Sequence, residues 1–222
     1  TLAAYTTAIR LAADDADTYT NRGNAYLLVP DYALAVADYT AAIERAPESA
    51  AAYLGRGRAY EGQTNPAAAM TDYTKAIELA PDEPTSYVNR ANIYRGQGDF
   101  ELAMADYTQA IELAPENIGA LLSRAALYSD QSKWSLALAD YNAVLKLDPA
   151  LVSALSSRAR VHEQMGNYGK AVDDYTALIA ITPDDPNLYA ARGNAYVAQN
   201  RTPQALEDFD KALSLNPTHG TS

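Results

Sequence analysis

The chain contains no cysteine, only two histidines and no long hydrophobic run. The absence of cysteine excludes disulfides and cysteine-ligated zinc. His219 lies at the terminus, and His162 alone cannot supply a zinc site or a Ser-His-Asp arrangement. No apolar stretch approaches the roughly 18 residues that span a bilayer. The sequence therefore predicts a protein that is not an enzyme, that carries no cofactor or metal, and that does not insert into a membrane.

Basic residues are also scarce, since 17 Lys and Arg stand against 28 Asp and Glu and give a net charge of −11. Phosphate binding requires a dense surface of Lys and Arg, so this balance argues against nucleic acid as a partner. The lack of cysteine and the many Ser, Thr and Asn residues favour an extracytoplasmic over a cytoplasmic location.

The main feature of the sequence is a strict period. Prolines recur every 34 residues, at Pro47, Pro81, Pro115, Pro149, Pro183 and Pro217. A period of this length predicts a solenoid built from one repeated supersecondary unit. With each of these prolines at position 32, the chain divides into a partial repeat at 1–15, six repeats at 16–49, 50–83, 84–117, 118–151, 152–185 and 186–219, and a tail at 220–222.

Each repeat is predicted to be two helices joined by a short turn. In 84–117, Tyr87, Ala91 and Tyr94 recur at the i, i+4, i+7 spacing of one helix face, and a second such stripe begins at Ala103. The fold class is therefore all-α.

The ends of these helices are also marked in the sequence. Gly96 and Gly98 are expected in the turn of the third repeat. Asn65, Asp99 and Thr202 are expected to cap the N-termini of second helices, because their side-chain oxygens can accept a bond from the first free N–H groups.

The repeated residues resemble those of the tetratricopeptide repeat family over essentially the whole chain. Position 20 is Ala in every repeat, and position 24 is Tyr in five repeats and Phe in the sixth. These residues are Ala35, Ala69, Ala103, Ala137, Ala171 and Ala205, and Tyr39, Tyr73, Tyr107, Tyr141, Tyr175 and Phe209. Val144 and Leu178 depart from the pattern at position 27, where Ala is usual. The resemblance implies a right-handed superhelical solenoid whose first helices line a concave groove.

Two charged positions also repeat, Arg at position 7 and Asp at position 23. An antiparallel hairpin brings these positions together, so we predict one Arg–Asp ion pair per repeat that fixes the register of the hairpin. The alternative is a ladder of charges that binds a ligand. The 17 tyrosines all fall at packing positions and are predicted to be structural.

The groove is the candidate binding surface. The resemblance places positions 2, 5, 6, 9, 12 and 13 there, and these positions vary while the packing positions repeat. The densest group of hydrogen-bond donors is Asn24, Arg58, Asn89, Asn92 and Arg95. Asn amides can bond an extended peptide backbone, and Arg can hold a carboxylate. The alternative is an ordinary solvated helix face. No Lys occupies position 2 or 5, so the family's clamp for a C-terminal carboxylate does not carry over.

We therefore predict a non-enzymatic scaffold that binds a peptide or a partner protein in its groove. Two alternatives stay open. One is a self-assembling scaffold, a homo-oligomer through uncapped ends, because 1–15 is a second helix without its first and no helix is expected after Pro217. The other is a regulatory or targeting region of a larger protein.

Overall fold

The computed structural model describes residues 2–11 and 14–216. Pro217, His219 and the tail at 220–222 lie outside these residues. The described residues form thirteen α-helices and no strand, which confirms the all-α repeat fold. The helices are α1 Leu2–Leu11, α2 Ala16–Leu28, α3 Tyr32–Arg45, α4 Ala50–Gly62, α5 Pro66–Leu79, α6 Pro84–Gln97, α7 Phe100–Leu113, α8 Ile118–Asp130, α9 Trp134–Leu147, α10 Val152–Gln164, α11 Tyr168–Ile181, α12 Pro186–Ala198 and α13 Thr202–Leu215.

Each 34-residue segment from 16 onward holds two helices, and the second begins at position 17 every time. The predicted breaks are therefore confirmed: α2 ends at Leu28 and α3 begins at Tyr32, and in the fourth repeat α8 ends at Asp130 and α9 begins at Trp134. Segment 1–15 holds α1 alone among its described residues.

The turn between the paired helices depends on a left-handed residue at position 15. Gly98 adopts φ 86° there and Gly166 adopts φ 72°. Glycine occupies this region without steric cost, whereas Thr64 and Ser132, with φ 56° and 57°, take it against their preference. Gly96, which was expected in the turn, lies inside α6 because that helix runs on to Gln97.

Two of the three predicted caps, Asn65 and Asp99, occupy the N-cap position, and one of them makes the capping bond. Asn65 accepts a bond from the N–H of Ala68 at 3.2 Å and caps α5. Asp99 precedes α7 but makes no side-chain cap bond. Thr202 is the first residue of α13 rather than its cap, because the period starts the helix at position 17 and leaves Arg201 at the N-cap.

The chain divides into two compact units, a first unit at Thr1–Pro115 and a second unit at Glu116–Ser222. Inside each unit the core is a series of small clusters. In the first unit Ala35 and Tyr39 pack with Ala59 of the next hairpin. Equivalent clusters are centred on Tyr73 and on Tyr141. A core of this kind follows from a fold in which each repeat packs on its neighbours.

Candidate functional site

The predicted ion pairs are present in all six repeats and are bidentate. Arg90 donates from Nε to Asp106 Oδ2 at 2.8 Å and from Nη2 to Oδ1 at 2.9 Å. The same geometry joins Arg22 to Asp38, Arg56 to Asp72, Arg124 to Asp140, Arg158 to Asp174 and Arg192 to Asp208. The six aspartates are between 3% and 7% exposed. Each ion pair therefore joins the two helices of its hairpin through a buried aspartate.

Five of these arginines also bond to the preceding second helix of their own unit, which favours a structural role over a ligand ladder. Arg56 Nη1 donates to Thr40 Oγ1 at 3.2 Å, and Arg158 Nη1 donates to Asn142 Oδ1 at 2.7 Å. The bond to Asp72 is the main reason why the pKa of Arg56 is raised. With three nitrogens occupied, each such guanidinium fixes two contacts inside the fold and has little capacity left for a ligand.

All five predicted site residues lie on first helices of the first unit. Asn24 is on α2, Arg58 on α4, and Asn89, Asn92 and Arg95 are on α6. Asn24, Arg58 and Arg95 are exposed, whereas Asn89 and Asn92 are half-buried. We call the side of α2, α4 and α6 that carries these five residues the first-helix face.

Buried tyrosines of the second helices reach this face with their hydroxyl groups. Tyr39 donates to Asn24 Oδ1 at 2.7 Å, and Tyr107 donates to Asn92 Oδ1 at 2.6 Å. Both tyrosines are 0% exposed. Because the hydroxyl engages the amide oxygen, the NH₂ group of each asparagine is turned away from the ring and can donate to a ligand.

A third buried tyrosine bonds to a carboxylate of α4. The Tyr73 hydroxyl donates to Glu61 Oε2. Burial raises the pKa of Tyr73, and its bond to Glu61 raises it further, while the charge of Arg58 lowers it. This tyrosine therefore remains protonated and acts as a donor at neutral pH.

Arg58 acts electrostatically on two of these tyrosines. Its charge lowers the pKa of Tyr73 and opposes the effect of burial on Tyr39, whose pKa is raised to about 12.

Arg95 is the least connected of the five. It lies three residues after Asn92 on α6, so the two side chains share one side of the helix. No bond joins Arg95 to the other four. Within the part of the chain that the structure describes, neither Arg58 nor Arg95 forms an ion pair.

Two components of the face were missed by sequence reasoning. Glu61 was counted only as a variable groove position, and no partner was named for the hydroxyl groups of the structural tyrosines. For Asn24 and Asn92 the signal was available, because a buried phenol needs a polar partner and position 9 lies close to position 24 in the hairpin. A glycine is also required: a Cβ on Gly55 would come within 2.3 Å of Tyr39 Cε1. Only glycine allows this ring to lie between α2 and α4.

The described residues contain no group of three or more His, Asp or Glu side chains arranged to hold a metal ion. None of their helices is long and apolar enough to cross a membrane.

Solved structures with a similar fold include tetratricopeptide repeat proteins. A tetratricopeptide repeat protein from Parabacteroides merdae has a TM-score of 0.70 and 24% identity, over 90% of this chain and 79% of that one. The C-terminal part of a repeat protein from Cytophaga hutchinsonii has a TM-score of 0.79 and 18% identity, over 98% and 90%. YrrB, described as a protein with an unusual peptide-binding site, has a TM-score of 0.61 and 21% identity, over 99% and 95%.

Family models give the same assignment from sequence alone. Among curated protein sequences, none matches this chain. Three models described as tetratricopeptide repeat match residues 21–84, residues 84–117 with 186–219, and residues 125–192. The matches thus run from 21 to 219 apart from 118–124. The chain belongs to the tetratricopeptide repeat family, whose repeats are typical of protein-interaction scaffolds.

Proposed function

We propose that the chain is a non-enzymatic scaffold that binds an extended segment of a partner protein on the first-helix face. The observation that carries this proposal is the pair Asn24 and Asn92, each held by a buried tyrosine hydroxyl. A side chain that is already held in place loses little conformational entropy when it binds. Two such amides, on α2 and α6, suit the carbonyl oxygens of an extended backbone.

The charges of the face add selectivity. Arg58 and Arg95 are exposed cations, and each can hold an acidic side chain of the partner. Glu61 follows Arg58 by three residues on α4, a spacing that places both side chains on one side of the helix, so it repels a second acidic group there. We therefore expect a segment with isolated acidic residues rather than a run of them. The similarity in fold to YrrB, whose description names a peptide-binding site, supports a peptide as the ligand class.

The test is a selection of random displayed peptides on the whole chain, followed by affinity measurements with variants. Peptides selected on the native chain should bind Asn24→Ala/Asn92→Ala and Arg58→Ala/Arg95→Ala at least about tenfold more weakly, the loss of two hydrogen bonds. Arg10→Ala/Lys75→Ala is the matched control, since it removes the same charge from α1 and α5.

Circular dichroism should show the same helix content for all variants. Peptides that bind both first-helix variants as tightly as the native chain, or that lose affinity for the control equally, would contradict the proposal.

A second candidate function, self-association through α13, is favoured by one specific observation. Leu213 at position 28 is 56% exposed, whereas Leu145 at the same position in the fourth repeat is 8% exposed. Leu206 on the same helix is 57% exposed. Exposed apolar strips of this kind tend to acquire partners. Sedimentation should show concentration-dependent association that Leu206→Lys/Leu213→Lys abolishes; a chain that is monomeric at every concentration excludes it.

A further inference from the structure

The second unit contains a cavity that none of the predicted site residues line. Its volume is about 330 Å³, and it lies between α8, α9 and α10. Trp134 and Tyr141 contribute aromatic surface to it, and Asp130, Ser157, Arg160 and Gln164 contribute polar groups. Ligand pockets span roughly 300–1,000 Å³, so this one has room for a single side chain rather than a length of peptide.

Tyr141 is the unusual residue of this cavity. It is 3% exposed, yet its hydroxyl makes no hydrogen bond within the described residues. Tyr39 and Tyr107, at the same position, each bond to an asparagine at position 9. The fourth repeat has Ala126 at position 9, and Ala126 also lines the cavity. A buried phenol that lacks its usual partner and borders a cavity can bond to a ligand there.

The charges of the cavity restrict the ligand. Arg160 is its one cation and Asp130 its one anion. A ligand carboxylate is attracted by Arg160 but repelled by Asp130. A ligand ammonium group is attracted by Asp130 but repelled by Arg160. A neutral ligand avoids both penalties. The aromatic surfaces of Trp134 and Tyr141 favour a ring, and a guanidinium can stack on that ring.

We propose that this cavity binds the side chain of a tyrosine from a partner protein, with the ligand hydroxyl bonded to the hydroxyl of Tyr141. This site goes beyond the first-helix face, because it lies in the other unit and uses none of its residues. Tyrosine meets each requirement: it is neutral, aromatic, and able both to donate and to accept one hydrogen bond.

The experiment is a titration of the 222-residue chain with N-acetyltyrosinamide, followed by NMR. Trp134 is the only tryptophan, so its indole N–H gives a single, assigned reporter at the cavity. N-acetylphenylalaninamide tests the ligand hydroxyl, and the amides of N-acetylglutamine and N-acetylglutamate test the ring and the charge. We expect a saturable shift with the tyrosine amide, about fivefold weaker binding of the phenylalanine amide, and weaker binding still of the other two.

Two variants test the contribution of the Tyr141 hydroxyl to binding. Tyr141→Phe should abolish the preference for the tyrosine amide over the phenylalanine amide, and the fold tolerates this ring because Phe209 occupies the same position in the sixth repeat. Ala126→Asn restores the acceptor found in the first and third repeats, so it should weaken the tyrosine amide at least fivefold. Arg58→Ala/Arg95→Ala should leave the titration unchanged, which separates this proposal from that for the first unit.

Three outcomes would overturn the proposal. They are the absence of a saturable indole shift, binding of the glutamate amide as tight as that of the tyrosine amide, and a preference for the tyrosine amide that survives in Tyr141→Phe. Circular dichroism on each variant separates loss of binding from loss of structure.

Discussion

The two units share one packing framework but differ at the pair formed by positions 9 and 24. In the first unit these pairs are Asn24 with Tyr39, Arg58 with Tyr73 and Asn92 with Tyr107; in the second they are Ala126 with Tyr141, Arg160 with Tyr175 and Asn194 with Phe209. The fourth repeat thus lacks the acceptor, and the sixth lacks the hydroxyl. Tyr141 is nevertheless 3% exposed, almost as buried as Tyr107 at 0%. Helix packing therefore requires an aromatic ring at position 24 in every repeat. The residue at position 9, which can bond to the hydroxyl of that ring, varies independently.

Loss of a framework charge should have the largest effect and should be equal in both units. Asp106→Asn leaves Arg90 partly buried without its carboxylate, and Asp140→Asn does the same to Arg124. Each should lower the free energy of unfolding by about 3 kcal/mol in urea titrations. Lys75→Ala, which removes an exposed ion pair with Glu78, should have a much smaller effect, because water screens that pair. Unequal losses at Asp106 and Asp140 would show that the framework is not common to the two units.

The tight contact in the first unit should give the next largest effect. Gly55→Ala places a methyl group against the ring of Tyr39 and should cost about 2 kcal/mol, because the surrounding core has no room to relax. Gly96→Ala is the matched control, since a Cβ there meets nothing within 4 Å and alanine favours the helix. Both are read from urea unfolding. A loss at Gly96 as large as that at Gly55 would indicate a backbone effect rather than the predicted clash.

The free energy of unfolding should depend on pH through a histidine of the second unit. His162, 5% exposed, replaces the tyrosine of other repeats at position 11, and its Nδ1 is buried without a partner among the described residues. Burial lowers its pKa, and Lys170 and Arg158 lower it further, while Asp174 and Asp173 oppose them. Since the unfolded pKa is about 6.5, protonation favours the unfolded chain. Stability should therefore fall as the pH drops below about 6.5, with a slope of at most about 1.4 kcal/mol per pH unit.

His162→Tyr should remove this part of the pH dependence when urea unfolding is compared at neutral and mildly acidic pH. The same slope in the variant and in the native chain would assign the effect to other groups.

The smallest effect should separate the hydroxyls of the two units. Tyr73→Phe removes a donor to Glu61 and should cost about 1 kcal/mol. Tyr141→Phe removes a hydroxyl that has no partner within the described residues, so the free energy of unfolding should change by a few tenths of a kcal/mol at most. Equal losses in the two variants would mean that Tyr141 has a partner after all.

Much of the fold could be predicted from the sequence, because the same signal appears six times. The 34-residue period and the helical spacing predicted both helices of each repeat and the break between them. The pairing of Arg90 with Asp106 followed from hairpin geometry alone. The errors lie at single residues: Thr202 was expected to be a cap, and Gly96 was expected in a turn. Such boundaries depend on where a helix stops, which repetition does not determine.

The five candidate site residues could be named from the sequence, but their connections could not. Asn24 and Asn92 were predicted as donors to a partner, and the structure shows in addition that buried tyrosines bond to their side-chain oxygens. The bond from the Tyr73 hydroxyl to Glu61 was not expected either. These contacts join residues 12 to 15 positions apart on two different helices, and they depend on the exact position of a ring.

The sequence by itself determined the all-α repeat, the family and the ion pair of each hairpin, because periodic positions must meet equivalent neighbours in every copy. Only the tertiary structure decided which tyrosine hydroxyls find a partner. Whether a buried hydroxyl reaches Asn24, as that of Tyr39 does, or borders a cavity, as that of Tyr141 does, depends on the side chains that surround one ring. That local environment differs from repeat to repeat, and the period contains no information about it.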